Sequence, residues 1–341
     1  MFKTVPVEDA IGMVLPHDIT EIIKDEKKGV AFKKGHIICR EDIAYLKRLG
    51  KDNMYVLSLT NDTIHENEAA ALLAKALAGK GVIYTGYPVE GKITIKSNID
   101  GLLRINKESL LQFNMLGDVM CATLHDNTPV KKGETVAATR LIPLVTSRKL
   151  VEKAEQAALI NDPVVEVIAL RRKKVGLVIT GSEIFYGRIE DRFEEVLRKK
   201  LEQLGSELSI VRFAPDDKDI IGAEISTCIE HGADLIVTSG GMSVDPDDVT
   251  REGILRAGAT NVVYGTPVLP GAMFLVGEIG KITVLGLPAC GMYHKITVFD
   301  LILPRILTGQ KIGRLELAEL GHGGLCRNCS TCRYPVCDFG K

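Results

Sequence analysis

Residues Ala233 to Thr250 read ADLIVTSGGMSVDPDDVT. The apolar run at 233–237 lies between Gly232 and Gly240 and is too short for a stable helix, so it predicts a buried strand. The loop that follows has a particular composition. Gly240 and Gly241 let backbone approach a ligand closely, and Ser239 and Ser243 bring hydroxyls that suit phosphate oxygens. Asp245, Asp247 and Asp248 then place three carboxylates within four residues. Such a loop can cradle a phosphate while its acids hold Mg²⁺ or position a reacting group. The same residues also suit a polar turn that caps the next helix from Asp247 or Asp248, and the loop alone does not choose between the two.

The stretch belongs to a regular alternation. Residues 175–180 predict a strand, 192–204 a helix, 208–213 a strand, 219–231 a helix, 233–238 the strand already quoted and 249–256 a helix. This implies an α/β fold, a parallel sheet covered by helices on both faces. Ligands of such sheets bind beyond the carboxyl ends of the strands, at a topological switch point. Here those ends deliver Thr180-Gly181-Ser182-Glu183, Pro215-Asp216-Asp217 and the glycine loop. Residues 273–276 and 282–285 read as a hairpin. The turn GLPACG at 286–291 is expected to open a helix over 293–307, where free backbone N–H groups favour anions. Pro304 should kink that helix or bound its last turn.

A chain of 341 residues has room for two or three domains of roughly 100 to 200 residues each. Hydrophobic residues at 45% and charged residues at 26% place it among soluble globular proteins, and a net charge of −1 gives no electrostatic case for nucleic acid. No apolar run approaches the about 20 residues of a membrane span, and MFKTVPVEDA lacks an apolar signal core, so the expectation is a cytoplasmic protein without a membrane partner. Residues 1–60 read as a small α/β unit. Thr63 to Glu66 have capping-box spacing before a helix that ends at Gly79. Residues 61–146 read as a mainly β module with a helical insertion near 108–115, and 147–170 as a connecting helix and strand, the hinge to the second half. The remaining domains are 171–312, the α/β domain, and 313–341, a cysteine-rich tail.

Of eight cysteines, Cys39, Cys121, Cys228 and Cys290 are scattered and read as small buried hydrophobes. The other four, Cys326, Cys329, Cys332 and Cys337, crowd into the tail. Such clustering favours metal binding over a disulfide framework. The spacing CxxCxxCxxxxC is close to a known iron–sulfur run, but its last gap is one residue longer and Pro335 precedes Cys337. Zinc in a Cys₄ site therefore stands beside an iron–sulfur cluster as the expected metal.

With the strand-end loops in order, the segments VGLVITGSEI, GRIEDRF, APDD, DLIVTSGGMSVDPDDVT, VLPGAMF and GLPACGMYHKITVFDLILPRIL are similar to the molybdopterin-binding domain of molybdenum-cofactor biosynthesis proteins. The resemblance covers about residues 175–309. It implies that molybdopterin, a pterin with a dithiolene and a terminal phosphate, is contacted by Thr180, Gly181, Ser182, Glu183, Asp191, Ser239, Gly240, Gly241, Met242, Ser243, Asp245, Pro270, Gly271, Gly286, Leu287 and Pro288. It further implies Mg²⁺ held by Asp216, Asp217, Asp247 and Asp248, with ATP or AMP and molybdate as co-substrates, a homo-oligomer, and a molybdoenzyme that receives the cofactor. The activity implied is adenylyl transfer to molybdopterin or molybdate insertion. GLPACG stands where the insertion branch reads GLPGNP, and no SxMDGYA-like segment is present in the first half. These departures favour the alternative of a non-catalytic carrier, chaperone or sensor with a metal-binding tail. A nucleotide-hydrolysing relative is the third reading.

Overall fold

The computed structural model describes residues 2–23, 27–57, 59–84, 86–160, 162–243, 245–246 and 248–341. The chain divides into two units, Met1–His125 with Val130–Val167, and Asp126–Pro129 with Ile168–Lys341.

The N-terminal unit holds two main cores. Residues before position 60 bury Val7, Leu15, Phe32, Leu46 and Val56 around the helix Asp42–Arg48 and short antiparallel pairs. The second core joins Leu73 and Leu77 of the helix Glu66–Leu77 to Ile95 and Leu141 of a four-stranded sheet. The helix Arg148–Ala158 sends Val151, Ala154 and Ala158 into the same core, so it packs as part of this unit where a hinge was expected. The helix Glu66–Leu77 begins later than the capping-box spacing implied. Thr63 lies on a strand, its hydroxyl accepting from the Thr60 N–H at 2.7 Å, and the cap is His65, whose Nδ1 accepts from the Asn67 N–H at 3.2 Å. Cys121 and Cys228 are buried as expected, whereas Cys39 is exposed and Cys290 half-buried.

In the C-terminal unit the alternation becomes β1 (Lys174–Thr180), α1 (Phe193–Gln203), β2 (Glu207–Ala214), α2 (Lys218–Glu230), β3 (Leu235–Ser239), α3 (Thr250–Arg256), β4 (Thr260–Tyr264), β5 (Leu275–Ile279), β6 (Ile282–Leu287), α4 (Val298–Leu307) and α5 (Arg314–Glu319). Apolar spacing explains the layers. Phe193, Leu197 and Leu201 recur at helical spacing along α1 and pack with α4 against one face of the sheet. Ile221, Ile225 and Cys228 of α2 cover the other face with Ile254 of α3. Every residue of β3 is buried, as a central strand between two helical layers requires.

The strand order is β2-β1-β3-β6-β5-β4. The first four strands are parallel, but β5 runs antiparallel to both β6 and β4. The sheet is therefore mixed, not purely parallel. The cause is the hairpin between β5 and β6, closed by Gly280 and Lys281 with Gly280 at φ +60°. A second correction concerns the GLPACG turn. It opens only a 3₁₀ turn, Ala289–Met292, and α4 begins at Val298 under its own capping box, in which the Asp300 carboxylate accepts from the Thr297 N–H at 2.7 Å and the Thr297 hydroxyl from the Phe299 N–H at 3.3 Å. Pro304 lies inside α4, which ends three residues later.

Beyond α5 the cysteine tail adds no further helix and only an isolated bridge from Leu325 to Leu269, yet it is wired to the domain. The Leu269 N–H donates to the Gly324 carbonyl and the Cys326 N–H to the Leu269 carbonyl, both at 2.8 Å, while within the tail the Gly340 N–H donates to the Gly323 carbonyl at 2.9 Å. Phe339 is buried in the core that holds α4.

Candidate functional site

The helix that follows β1 covers one face of the sheet and the helix that follows β3 covers the other. The carboxyl ends of these adjacent strands thus form the switch point, the place where sheets of this kind bind ligands. Ile179 is paired with Ser239, and Ser239 with Leu287, so the loops after β1, β3 and β6 leave at one level.

Threonine hydroxyls stitch this edge. Thr180 Oγ1 donates to the Ser239 carbonyl at 2.9 Å and lies 2.7 Å from Thr250 Oγ1 at the start of α3. Gly240 and Gly241 have φ of +90° and +53°, a region that favours glycine. A side chain on Gly240 would put its Cβ 2.5 Å from the Thr180 carbonyl oxygen, and one on Gly241 would strike the Thr250 hydroxyl. Close packing of backbone on backbone demands the pair here. Beyond it, the Ser243 N–H donates to Asp248 Oδ2 at 2.9 Å, the Asp248 N–H to the Asp245 carbonyl at 3.0 Å and the Tyr264 hydroxyl to the Met242 carbonyl at 2.6 Å. The Ser239 hydroxyl is buried, and no described residue hydrogen-bonds it. Asp247 lies outside the described residues.

At the neighbouring ends, the Ser182 N–H donates to Asp216 Oδ2 at 2.8 Å, and the Asp216 N–H donates back to Ser182 Oγ at 3.2 Å. Gly181 sits at φ +134°, and the Glu183 carboxylate folds back over it.

The structure therefore brings together Thr180, Gly181, Ser182 and Asp216, and joins Thr180 to Ser239, Gly240, Gly241 and the Ser243–Asp248 turn. Other expected contacts also carry structural duties. Asp217 Oδ1 caps α2 by accepting from the Asp219 and Ile220 N–H groups, and Asp191 caps α1 by accepting from Phe193 and Glu194. Met242 and Leu287 are buried core residues, and Gly286 leaves room for the Met242 thioether. Gly271 packs on Val298, and the Pro270 carbonyl accepts the Val298 N–H at 3.3 Å, so this pair seats the start of α4. Pro288 opens the 3₁₀ turn. The acids accept from separate backbone groups, and no three His, Cys, Asp or Glu side chains among the described residues form a metal-ion site. Of the expected Mg²⁺ ligands, Asp216, Asp217 and Asp248 do not assemble one, and Asp247 lies outside the described residues. Sequence reasoning missed Thr250 and Tyr264. Thr250 stood at the end of the quoted loop, but its partner Thr180 is 70 residues away. Tyr264, stacked under the Arg251 guanidinium at 5.1 Å, sits on a strand that was not expected.

Residues 176–308 match a family model described as a probable molybdopterin binding domain. The C-terminal unit carries a domain of this family. Residues 4–58 match a second family, described only as a domain of unknown function. The CinA-like protein of Mycobacterium tuberculosis (strain ATCC 25177 / H37Ra) is 40% identical over 83 residues, which is 24% of this chain and 19% of that protein. The CinA-like protein of Mycobacterium leprae (strain TN) shows the same 40% over 83 residues, again 24% and 19%. The chain thus spans about a fifth of the length of the curated relatives it matches. Among solved structures, the molybdopterin biosynthesis enzyme MoaB from Thermus thermophilus is 23% identical with a TM-score of 0.35, covering 40% of this chain and 98% of its own. The protein CinA from Thermoplasma acidophilum is 21% identical with a TM-score of 0.33, covering 36% and 92%. No helix among the described residues is long and apolar enough to cross a membrane.

Away from the strand-end loops, Cys326, Cys329, Cys332 and Cys337 line one cavity of about 590 Å³, shared with Arg327 and Arg333. Among these four sulfurs, Cys326 Sγ accepts from the Asn328 N–H at 3.4 Å. Among the described residues no group of three or more of these side chains is assembled as a metal site, so neither zinc nor an iron–sulfur cluster, both expected from the spacing, has a preformed cage here.

Proposed function

We propose that the C-terminal unit binds molybdopterin, its terminal phosphate lying against the Ser239–Ser243 loop, and that the chain serves molybdenum-cofactor biosynthesis as a holder of that cofactor. The observation that carries this reading is the Ser239 hydroxyl, buried at the switch point and unpaired among the described residues. A buried polar group without a partner is costly, roughly 1–3 kcal/mol, and an acceptor oxygen of a phosphate would relieve it. The family of the domain supplies the pterin. The carboxylates favour holding over phosphoryl transfer, since Asp216, Asp217 and Asp248 each accept from backbone N–H groups and shape the loops.

A second reading, adenylyl transfer or molybdate insertion, is favoured by Asp216, whose Oδ1 has no hydrogen-bond partner among the described residues at the strand end. One experiment separates the two. Protein is incubated with molybdopterin, Mg-ATP and molybdate, and bound and released species are identified by mass spectrometry. The holder reading expects unaltered molybdopterin on the wild type and about tenfold weaker binding to Ser239→Ala. Equal binding by that variant rejects the phosphate placement. An adenylylated or metallated product that vanishes in Asp216→Asn establishes the second reading instead.

For the tail, the thiols that ring one cavity fit a polynuclear iron–sulfur cluster better than a single ion, because a cluster spreads its thiolate ligands over a wider cage. Arg327 and Arg333 on the same walls suit its negative charge. Iron and acid-labile sulfide in anaerobically purified protein test this, and stoichiometric zinc without sulfide would overturn it.

A further inference from the structure

The N-terminal unit contains a cleft of about 510 Å³ that the molybdopterin reading does not use. Three segments meet there: the Lys33–His36 turn, the start of the helix Glu66–Leu77 and the Pro88–Glu90 turn. Adjacent residues of the helix start tie the two turns down. His65 Nε2 bonds the Gly35 carbonyl at 2.8 Å, and Asn67 Oδ1 accepts from the Gly91 N–H at 3.0 Å. Between these anchors stands Glu66, only 3% exposed. Gly35 and Gly91, at φ +84° and +67°, crowd its carboxylate from either side. A Cβ built on Gly35 would lie 2.7 Å from Oε1, and one on Gly91 2.8 Å from Oε2.

No described residue hydrogen-bonds or ion-pairs with this carboxylate. Arg140 is near enough to attract it, yet its Nη2 donates to the Glu90 carbonyl at 2.8 Å and its Nε to the Leu141 carbonyl at 3.4 Å. Burial holds the Glu66 carboxyl above the usual range, against the pull of Arg140 and Lys34 and with the push of Glu90. A buried carboxylate framed by backbone on two sides and open to a cleft calls for two N–H donors from outside.

The other walls define the donor. Pro88 and the exposed Val89 offer apolar surface to a flat ring, and Lys33 and Lys34 bring two positive charges to the cleft. Lys33 and Lys34 balance Glu66 and Glu90 on the same walls, so a ligand with a neutral donor edge for the carboxylate and an anionic group for the lysines matches the cleft.

We propose that this cleft binds a 2-amino-4-oxopyrimidine ring carrying an anionic group, the edge shared by pterins and guanine, with Glu66 accepting from the paired ring and amino N–H groups and Lys33 and Lys34 meeting the anion. The ligand class is read from this cleft alone and does not depend on the phosphate placement at Ser239. Titration calorimetry with pterin-6-carboxylate, GMP, guanosine and AMP tests it on the full chain. Pterin-6-carboxylate or GMP binds, and whichever binds more tightly identifies the source. AMP, which lacks the paired donors, binds at least about tenfold more weakly, and Glu66→Gln loses a similar factor for the tighter ligand. AMP binding equal to GMP, undiminished binding by Glu66→Gln, or no binding by any probe overturns the proposal. Should Glu66→Gln fail to fold by circular dichroism, Lys33→Ala with Lys34→Ala decides: the preference for GMP over guanosine collapses, and a retained preference overturns the assignment. Gly240→Ala, which disables the strand-end loop of the other unit, leaves these titrations unchanged, so the two readings fail independently.

Discussion

Thr180 and Thr250, 70 residues apart in sequence, share a hydrogen bond of 2.7 Å between their hydroxyls with both side chains fully or almost fully buried. The bond fixes the start of α3 to the end of β1, and the glycine loop is strung between them. Replacing Thr180 with Val keeps the shape but leaves the Ser239 carbonyl without its donor and the Thr250 hydroxyl without its acceptor. The loss expected in urea unfolding is about 1–3 kcal/mol. In a double-mutant cycle with Thr250→Val the two losses are less than additive, and strict additivity would show that the hydroxyls do not communicate.

Gly240 and Gly258 share nearly the same backbone, φ +90° and +88°, but not the same surroundings. A side chain at Gly258 meets nothing within 4 Å, whereas one at Gly240 collides with the Thr180 carbonyl. Gly258→Ala should therefore show only the backbone strain, about 1 kcal/mol, and Gly240→Ala clearly more. Equal destabilisation of the two in urea titration would contradict the close approach.

His65 gives the N-terminal unit a pH dependence of known sign. Burial lowers its pKa from the ordinary 6.5, while the Gly35 carbonyl and Glu68 oppose this. Its Nδ1 must stay unprotonated to cap the helix Glu66–Leu77. Because the folded state binds this proton less readily than the unfolded chain, stability from His65 is complete above 6.5 and declines as pH falls below it. Glu66, displaced upward, contributes with the opposite sign, losing stability as pH rises through its folded value. Comparing melting temperature against pH for wild type and His65→Gln isolates the histidine, and the variant should show a flatter profile below 6.5.

Lys200 and Asp300 form a pair at 2.6 Å with side chains 15% and 12% exposed. Asp300 also closes the capping box of α4, and its carbonyl accepts from the Tyr334 hydroxyl at 3.4 Å. Asp300→Ala removes cap and counter-ion together and should cost about 3–5 kcal/mol. Lys200→Met, which keeps the cap, should cost less in the same denaturant series.

The α/β core was legible because its apolar runs are buried on both faces and cannot be read as amphipathic surface. The glycine loop was legible from composition, and its strand-end neighbours from order. The duties of the acids were not. A carboxylate takes whichever N–H the fold brings to it, and Asp216 finds that of Ser182, 34 residues away. The start of α4 was misplaced because GLPACG drew attention from Thr297 and Asp300, which carry the capping spacing in plain sequence. Strand β4 escaped because TNVVY is short and only half-buried.

The wiring of the cysteine segment limits how the protein can be cut. Gly340 has no room for a side chain against Leu301 of α4, Phe339 fills the core beside it, and Tyr334 reaches Asp300. Trimming the chain after α5 would strip these contacts from the helix that packs against β1 and β3. The cysteines accordingly cannot be treated as a removable cassette, and their role is best probed by single Cys→Ser exchanges that leave Tyr334, Phe339 and Gly340 in place.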